Sequence, residues 1–489
     1  MLFAILQYSN DLLYFQHPFP QRATLPLQSF RGHIPLAILL GILFPQTTLS
    51  QDTHYWNLHY GTQSTLLGGA VIGSVADLSA TYYNPGWLAL KKDAGLILSA
   101  RVYDLNTLEV EGDGIQNRKI STFRISPSPS LIAGRLPSDS LIGQKLTYSI
   151  ITRQSFQSQL DTRGVLGVAP GSVLPGGGTI AEEAVYVTDL GEYWGGISWS
   201  TPLGDGVGFG VTSYIAFRTQ WKRSEFSFKV LPEAEDLASL DRTTDYSYYN
   251  VRLLWKAGLA VDLSPVLVGV TVTTPSLNLF GSGSTYLNAS SAGFDIDGDR
   301  VADPFLGADY QDGLSSKYRS SWAVGAGVGY VFGKFKLNLS AEWYSGIPSY
   351  AVLDPEPFVV QTTGETAEND LTVEYDPVIN YGCGVEFLAT ETIDFYLSYV
   401  TDFSAHVPGT NTNLTISNWD LRHITGGGVF SFGRADVTFG LGYAFGSSRT
   451  PKDGVPLLED LLEKTGHTLP VLTATSRRVK VIFAFSFAL

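Results

Sequence analysis

From position 94 onward the chain alternates, one residue at a time, between apolar and polar side chains over long segments. In 249–263 the odd positions read Tyr, Val, Leu, Trp, Ala, Leu, Val, Leu, and the even ones include Asn250, Arg252, Lys256 and Asp262. In 335–343 the odd positions are Phe, Leu, Leu, Ala, Trp, against Lys336, Asn338, Ser340 and Glu342. Segments 435–445 and 479–489 follow the same rule. An extended strand points successive side chains to opposite faces, so each segment has one apolar face. Such a face is the core side of a soluble sandwich or the lipid side of a membrane barrel.

Three features favour lipid. Many segments exceed the ~9–11 residues with which a tilted strand crosses a bilayer. Aromatic residues gather near segment ends, at Trp194, Trp199, Trp221, Trp255, Trp322, Trp343 and Trp419, as interfacial girdles do. The connections also alternate between short and long. Fourteen strands are predicted, at about 94–110, 119–134, 142–156, 184–201, 206–228, 245–263, 265–280, 317–332, 334–346, 376–389, 391–404, 419–432, 434–446 and 477–489. Short turns follow the even-numbered strands, while long loops (157–183, 281–316, 347–375, 447–476) follow odd-numbered ones. The fold class expected is therefore all-β, a transmembrane antiparallel β-barrel whose even strand count leaves both termini on the periplasmic side.

Composition narrows the alternatives. Charged residues make up 16%, against ~25% in soluble domains. A single cysteine, Cys383, rules out a disulfide scaffold and a cysteine metal cluster. A net charge of −14 argues against nucleic acid, whose phosphates need a basic face. A hydrophobic fraction of 44% is incompatible with intrinsic disorder.

The strongest apolar run, 34–44 (IPLAILLGILF), follows Arg31 and precedes the small residues Thr48 and Ser50. It is too short for a membrane helix and fits a secretory signal cleaved after Ser50; the alternative is a buried core segment. Residues 1–50 are thus expected to be a leader, 51–93 an N-terminal plug and 94–489 the barrel. The mature chain would have 489 − 50 = 439 residues. The C-terminal segment VKVIFAFSFAL, with Phe483, Phe485 and Phe487 on one face, resembles the signal read by the barrel-assembly machinery, although it ends in Leu489 rather than an aromatic.

Fourteen strands enclose a lumen wide enough for water unless something fills it. The candidate filler contains 67–90 (LGGAVIGSVADLSATYYNPGWLAL), a small-residue stretch followed by Asp77 and the tripeptide Asn84-Pro85-Gly86. This run resembles the N-terminal hatch of the FadL/TodX family of outer-membrane transporters, with Gly86 in place of that family's Ala. The stretches 201–210 (TPLGDGVGFG) and 257–274 (AGLAVDLSPVLVGVTVTT) resemble turn-and-strand patterns of the same family. The resemblance implies a monomeric, passive channel of a Gram-negative outer membrane. It would move long-chain fatty acids or other hydrophobic compounds among lipid and lipopolysaccharide. It also implies that Tyr55 and Trp56 contact ligand, because the hatch begins near the family's pocket. Rival readings are a structural or shuttle component of a secretion system, or a general porin.

Small inward positions agree with a filled lumen. Ala323, Gly325, Gly327 and Gly329 on one strand, and Thr438, Gly440, Gly442 and Ala444 on another, leave room for an inserted segment. Crowding between strands would favour the same residues. Asn84-Pro85 reads as a tight turn, structural or gating. Ser126-Pro127-Ser128-Pro129 interrupts the second strand, since proline has no N–H for the ladder. A bulge or a lateral opening would explain Pro127 and Pro129, and members of the resembled family have an inward-kinked strand near here.

The outer loops carry acid. Asp295, Asp297, Asp299 and Asp303 have a spacing that can wrap calcium, but Arg300 replaces the glycine of an EF-hand, so a solvated acidic loop is the alternative. Segment 456–466 puts Leu457, Leu458, Leu461 and Leu462 on one face of a short helix, and 233–240 is a second helix candidate. No metal-binding helix, nucleophile elbow or phosphate loop occurs; 325–329 is strand alternation rather than a nucleotide motif. No enzymatic activity is expected, and no cofactor other than possible calcium.

Overall fold

The computed structural model describes residues 53–487 except 91–94, 113–114, 125–127, 137–143, 169–177, 233–236, 294–300, 408–418 and 451–471. The expected leader (1–50), Pro127, the acidic residues Asp295, Asp297 and Asp299, and the helix at 456–466 lie outside the described residues.

One antiparallel sheet of seventeen strand segments dominates. It closes on itself, because β21 (Leu472–Phe487) pairs with β1 (Leu96–Gly112) along the length of both. The count differs from the fourteen read in the alternation because three strand positions each hold two segments end to end. β2 (Ile115–Arg124) and β3 (Ser128–Leu136) both lie along β1. β8 (Val266–Thr273) and β9 (Leu277–Ala292) both lie along β7 (Ala238–Leu263). β10 (Phe305–Ser315) and β11 (Ala323–Phe332) continue the wall beside β9 and β8. Pro129 stands at the first junction and Pro275 at the second, where a missing N–H interrupts the ladder.

Four strands are far longer than a crossing requires. β4 (Lys145–Val168), β5 (Gly178–Gly204), β6 (Val207–Pro232) and β7 have 24, 27, 26 and 26 residues. Most of 157–183, expected as a loop, therefore belongs to β4 and β5, which stay paired out to Val168 and Gly178. Part of 281–316 likewise forms β9 and β10. In the β4 extension the outward face carries Gln157, Gln159, Asp161 and Arg163 in place of apolar residues, so no apolar outer stripe marks it. The expected helix at 233–240 is also corrected, since Ala238 already opens β7.

The remaining barrel strands are β12 (Phe335–Tyr344), β17 (Val378–Leu388), β18 (Ile393–Asp402), β19 (Leu421–Phe432) and β20 (Ala435–Thr450). Two small hairpin sheets, β13 (Ile347–Leu353) with β16 (Leu371–Tyr375) and β14 (Phe358–Val359) with β15 (Thr366–Ala367), stand in the connection between β12 and β17.

The apolar face of the alternation is the outside. Ile379, Leu397 and Leu441 are 52%, 61% and 62% exposed, while their neighbours Asn380, Ser398 and Gly440 point inward. In water each exposed side chain would forgo roughly 1.5–3 kcal/mol of burial; against lipid it forgoes nothing. Trp221, Trp322 and Trp343 are exposed on this outer face, whereas Trp194 and Trp419 are buried. Those two depart from the expected girdle because their positions face inward. No helix among the described residues is long and apolar enough to cross a membrane.

Residues 53–90 lie against the inward face of this wall. They form three single-turn helices, α1 (Gln63–Leu66), α2 (Ala80–Tyr83) and α3 (Trp87–Leu90), linked by turns. Leu66, Leu67, Val71, Val75, Trp87 and Leu88 are buried with Ile97, Leu131, Ile151, Tyr214 and Leu254 of the strands in one cluster. The small inward residues make this possible. Gly73 and Gly327 meet backbone to backbone, and Leu66 fills the space a side chain at Gly440 would need. Gly325, Gly327, Gly329 and Gly440 thus make room for 53–90, whereas Gly442 faces side chains of neighbouring strands alone.

Candidate functional site

The inner segment is tied at both ends and in its middle. At one end Trp56 N donates to Asp402 Oδ1 at 2.8 Å and Ala405 N donates to Thr53 O at 2.9 Å. In the middle Asp77 accepts from Thr62 N at 2.8 Å, Thr62 Oγ1 at 3.1 Å, Ser64 Oγ at 3.3 Å and Ser79 N at 2.9 Å, and from the Ser79 hydroxyl. One carboxylate thereby organises the turn before α1 and the start of α2.

At the far end the fully buried Asn84 donates through Nδ2 to Ile72 O at 2.9 Å and to Leu259 O of β7 at 3.0 Å, and its Oδ1 accepts from Gly86 N at 3.0 Å. Asn84 thus closes the Asn84-Pro85-Gly86 turn and fastens it to the wall. A Cβ on Gly86 would stand 2.8 Å from Ala260 N, Gly208 O and Gly258 O, three backbone atoms that cannot rotate away. Glycine replaces the resembled family's alanine where the turn touches the wall most closely.

Between the 53–56 end and the wall lies a cavity of about 60 Å³, room for several waters. Tyr55 and Tyr82 of the inner segment, Arg153 of β4, Trp194 of β5, Tyr344 of β12, and Tyr318 and Tyr375 from the connections line it. Tyr55 stacks on Tyr344 with ring centroids 3.9 Å apart and donates or accepts a 2.9 Å hydrogen bond with Ser321. Burial pushes the Tyr82 phenol up to about 12, with Arg153 opposing, so Tyr82 is a neutral phenol at ordinary pH.

Buried charge surrounds these rings. Glu192 on β5 takes Arg218 Nη1 of β6 at 2.9 Å, Arg252 Nη2 of β7 at 2.6 Å and the Trp194 indole N–H at 2.6 Å. Arg218 and Arg252 sit over the Tyr318 ring at 4.1 and 4.3 Å from its centroid. Glu342 on β12 takes Lys256 Nζ at 3.1 Å, the Trp56 indole N–H at 3.1 Å and the Tyr344 hydroxyl at 2.6 Å. The Arg153 guanidinium lies 5.9 Å from the Tyr82 ring centroid and 5.6 Å from that of Trp194. Four cations (Arg153, Arg252, Lys256, Arg319) and two carboxylates (Glu192, Glu342) line the cavity, a surplus of positive charge in a chain of net charge −14.

Beside this cavity the wall is unpaired. β3 pairs with β4 from Leu136↔Leu146 to Leu131↔Ile151, and there the ladder ends. Further along, 152–168 of β4 pair with β5 alone and β2 pairs with β1 alone, among the described residues. The break lies level with Ser99 of β1, between the lipid-facing Leu98 and Leu105, so it opens within the apolar band. Three contacts cluster at its lower edge. Thr152 Oγ1 donates to Pro129 O at 2.6 Å, the Tyr60 hydroxyl donates to Thr152 O at 3.1 Å, and a bulge at Arg153 turns that residue into the cavity.

Of the residues singled out from sequence, Tyr55 lines the cavity and Trp56 supports its Glu342. Asn84, Pro85 and Gly86 sit at the opposite end of the inner segment, and Pro129 borders the ladder break. Asp303 is half-buried, and no group of three or more metal-ligating side chains occurs among the described residues. Sequence reading missed Arg153, Glu192, Arg218, Tyr318 and Tyr375. It placed Arg252, Lys256 and Glu342 on polar strand faces without pairing them. A charged residue at membrane depth was the available signal, since it must find a partner inside the barrel.

No protein-family model matches the chain, and no curated protein matches it in sequence. Solved structures match in fold. The toluene transporter TodX of Pseudomonas putida is 13% identical, with a TM-score of 0.53 over 88% of this chain and 99% of that one. A TodX deltaS2 mutant, a monoaromatic hydrocarbon channel, gives 0.55 at 13% identity over 88% and 99%. A Pseudomonas aeruginosa FadL homologue gives 0.50 at 12% identity over 91% and 99%. The chain has the fold of the TodX-type and FadL-type barrels along almost its whole length.

Proposed function

We propose that this protein is a passive channel of a Gram-negative outer membrane that admits hydrophobic molecules carrying an acidic group, long-chain fatty acids foremost. The observation that carries the reading is the cavity between the inner segment and the wall, aromatic and positively charged, directly beside an unpaired stretch of barrel. Rings of Tyr55, Tyr82, Trp194 and Tyr344 offer an apolar surface, and the surplus of cations favours a carboxylate. At about 60 Å³ the cavity is smaller than a long alkyl chain requires, so passage involves displacement of the segment 53–90, which acts as a hatch. Release goes sideways through the β2–β4 break into the lipid. Concentration drives the flux, and the solved channels of the same fold support transport over catalysis.

The test is uptake of a radiolabelled long-chain fatty acid by a Gram-negative host lacking its own transporter, once outer-membrane insertion is verified. Uptake well above the empty host is expected. Background uptake from an inserted barrel would reject this substrate class and favour the secretion-partner role.

A further inference from the structure

We propose that Lys222 is the centre of a second binding site in the lumen, which holds the carboxylate of an amphipathic ligand before it reaches the cavity. The inference rests on the transport reading above and adds a station to it. Four residues form one row of cross-strand neighbours on the inward face: Thr188 of β5, Lys222 of β6, Tyr246 of β7 and Thr285 of β9. They are 6%, 5%, 4% and 2% exposed, and the Thr188 hydroxyl, the Lys222 amine, the Tyr246 hydroxyl and the Thr285 hydroxyl all have no hydrogen-bond partner among the described residues. The Gln220 Nε2, two residues from Lys222 on the same face, is also unpartnered.

An unmatched buried ammonium is costly; three other inward cations of this wall have a carboxylate, whereas Arg153 lies over the Tyr82 and Trp194 rings. Arg218 and Arg252 share Glu192, and Lys256 has Glu342. Lys222 has only the Tyr246 ring, 5.9 Å from its nitrogen. The amine and the carboxamide N–H₂ only donate, while the three hydroxyls can donate or accept, yet none of them meets the amine, so among the described residues the row holds no anion and no acceptor in reach of Lys222. A carboxylate supplies that acceptor together with the missing charge.

The location suits an intermediate stop. Along β6 the order is Phe228, Lys222, Arg218. Phe228 belongs to an apolar cluster with Leu240, Leu287, Phe305 and Phe358, whereas Arg218 belongs to the charged network behind the cavity. A bound carboxylate at Lys222 would leave its alkyl tail toward the apolar cluster and its next cationic contact, Arg218, four residues or about 13 Å further along β6.

The test is calorimetric titration of decanoate, and separately of uncharged decanol, into the purified full-length protein in detergent, with uptake of labelled decanoate by cells measured in parallel. Wild type is expected to take two decanoates per chain and Lys222→Met one, with Lys222→Arg keeping two and decanol binding equal in all three. Heat-modifiable electrophoretic mobility shows whether each variant forms the barrel. Unchanged decanoate stoichiometry and affinity in Lys222→Met would overturn the site, and if uptake persists the transport reading stands without it. Equal loss of decanoate and decanol would also overturn it, as general damage to the lumen. Wild type that neither binds nor imports decanoate would remove the site and the transport reading together.

Discussion

The Tyr60 hydroxyl donates to the main-chain carbonyl of Thr152 across 3.1 Å, joining the inner segment to the residue at which the β3–β4 ladder has just stopped. Tyr60 also packs edge-on to Tyr82, with centroids 4.7 Å apart, and Tyr82 lines the cavity. Cavity, inner segment and wall break therefore meet around one tyrosine.

Replacing Tyr60 by Phe keeps the ring packing and removes the hydrogen bond, worth about 1 kcal/mol net. Easier displacement of the segment should raise fatty-acid uptake roughly fivefold, with barrel mobility on heated and unheated gels unchanged. Uptake at or below the wild-type level would show that this contact does not restrain the segment.

Gly86→Ala restores the alanine of the resembled motif in a place that has no room for it, 2.8 Å from three backbone atoms of β6 and β7. Overpacking of this kind costs about 1–3 kcal/mol. The far end of the inner segment should unseat, which limited proteolysis of intact barrels would report as faster cleavage within 53–90. Cleavage at the wild-type rate would mean that the wall yields instead.

Glu192→Gln leaves Arg218 and Arg252 buried without their shared counter-charge. Breaking a buried pair from one side costs about 3–5 kcal/mol, so thermal unfolding in detergent should begin at markedly lower temperature. A double replacement, Arg218→Met with Glu192→Gln, should lose less than the two single changes summed, because the residues belong to one network. Additive losses would show that the pair is not coupled.

Valine at both Pro127 and Pro129 returns two main-chain donors to the stretch where β2 and β3 meet. Pairing toward β4 should extend, and uptake should slow several-fold while the barrel still inserts. Uptake at the wild-type rate from the double variant would remove the lateral exit through this break.

Much of the site was hidden for a geometric reason. Glu192, Arg218 and Arg252 are separated by 26 and 34 positions in sequence and become neighbours only because β5, β6 and β7 pair in one register. Their inward parity was legible for Arg252, Lys256 and Glu342, yet parity names no partner. Trp194 and Trp221 show the same gap. Both stand near the end of a lipid-crossing stretch, and one lines the cavity while the other faces outward. The strand extensions escaped notice because outside the lipid neither face must be apolar.

The sequence by itself determined the alternation, the placement of short turns, the glycine stripes and the Asn84-Pro85-Gly86 turn, since these follow from local sterics and from the need for one continuous apolar face. Strand length, aromatic placement and loop alternation also pointed the apolar face outward; only the tertiary structure decided which buried charges pair, how 53–90 seats against the wall, and where the ladder between β3 and β4 fails. Those outcomes depend on register between strands and on what fills the lumen, and both are set by contacts between residues hundreds of positions apart, such as Trp56 with Glu342 and Ser398 with Leu66.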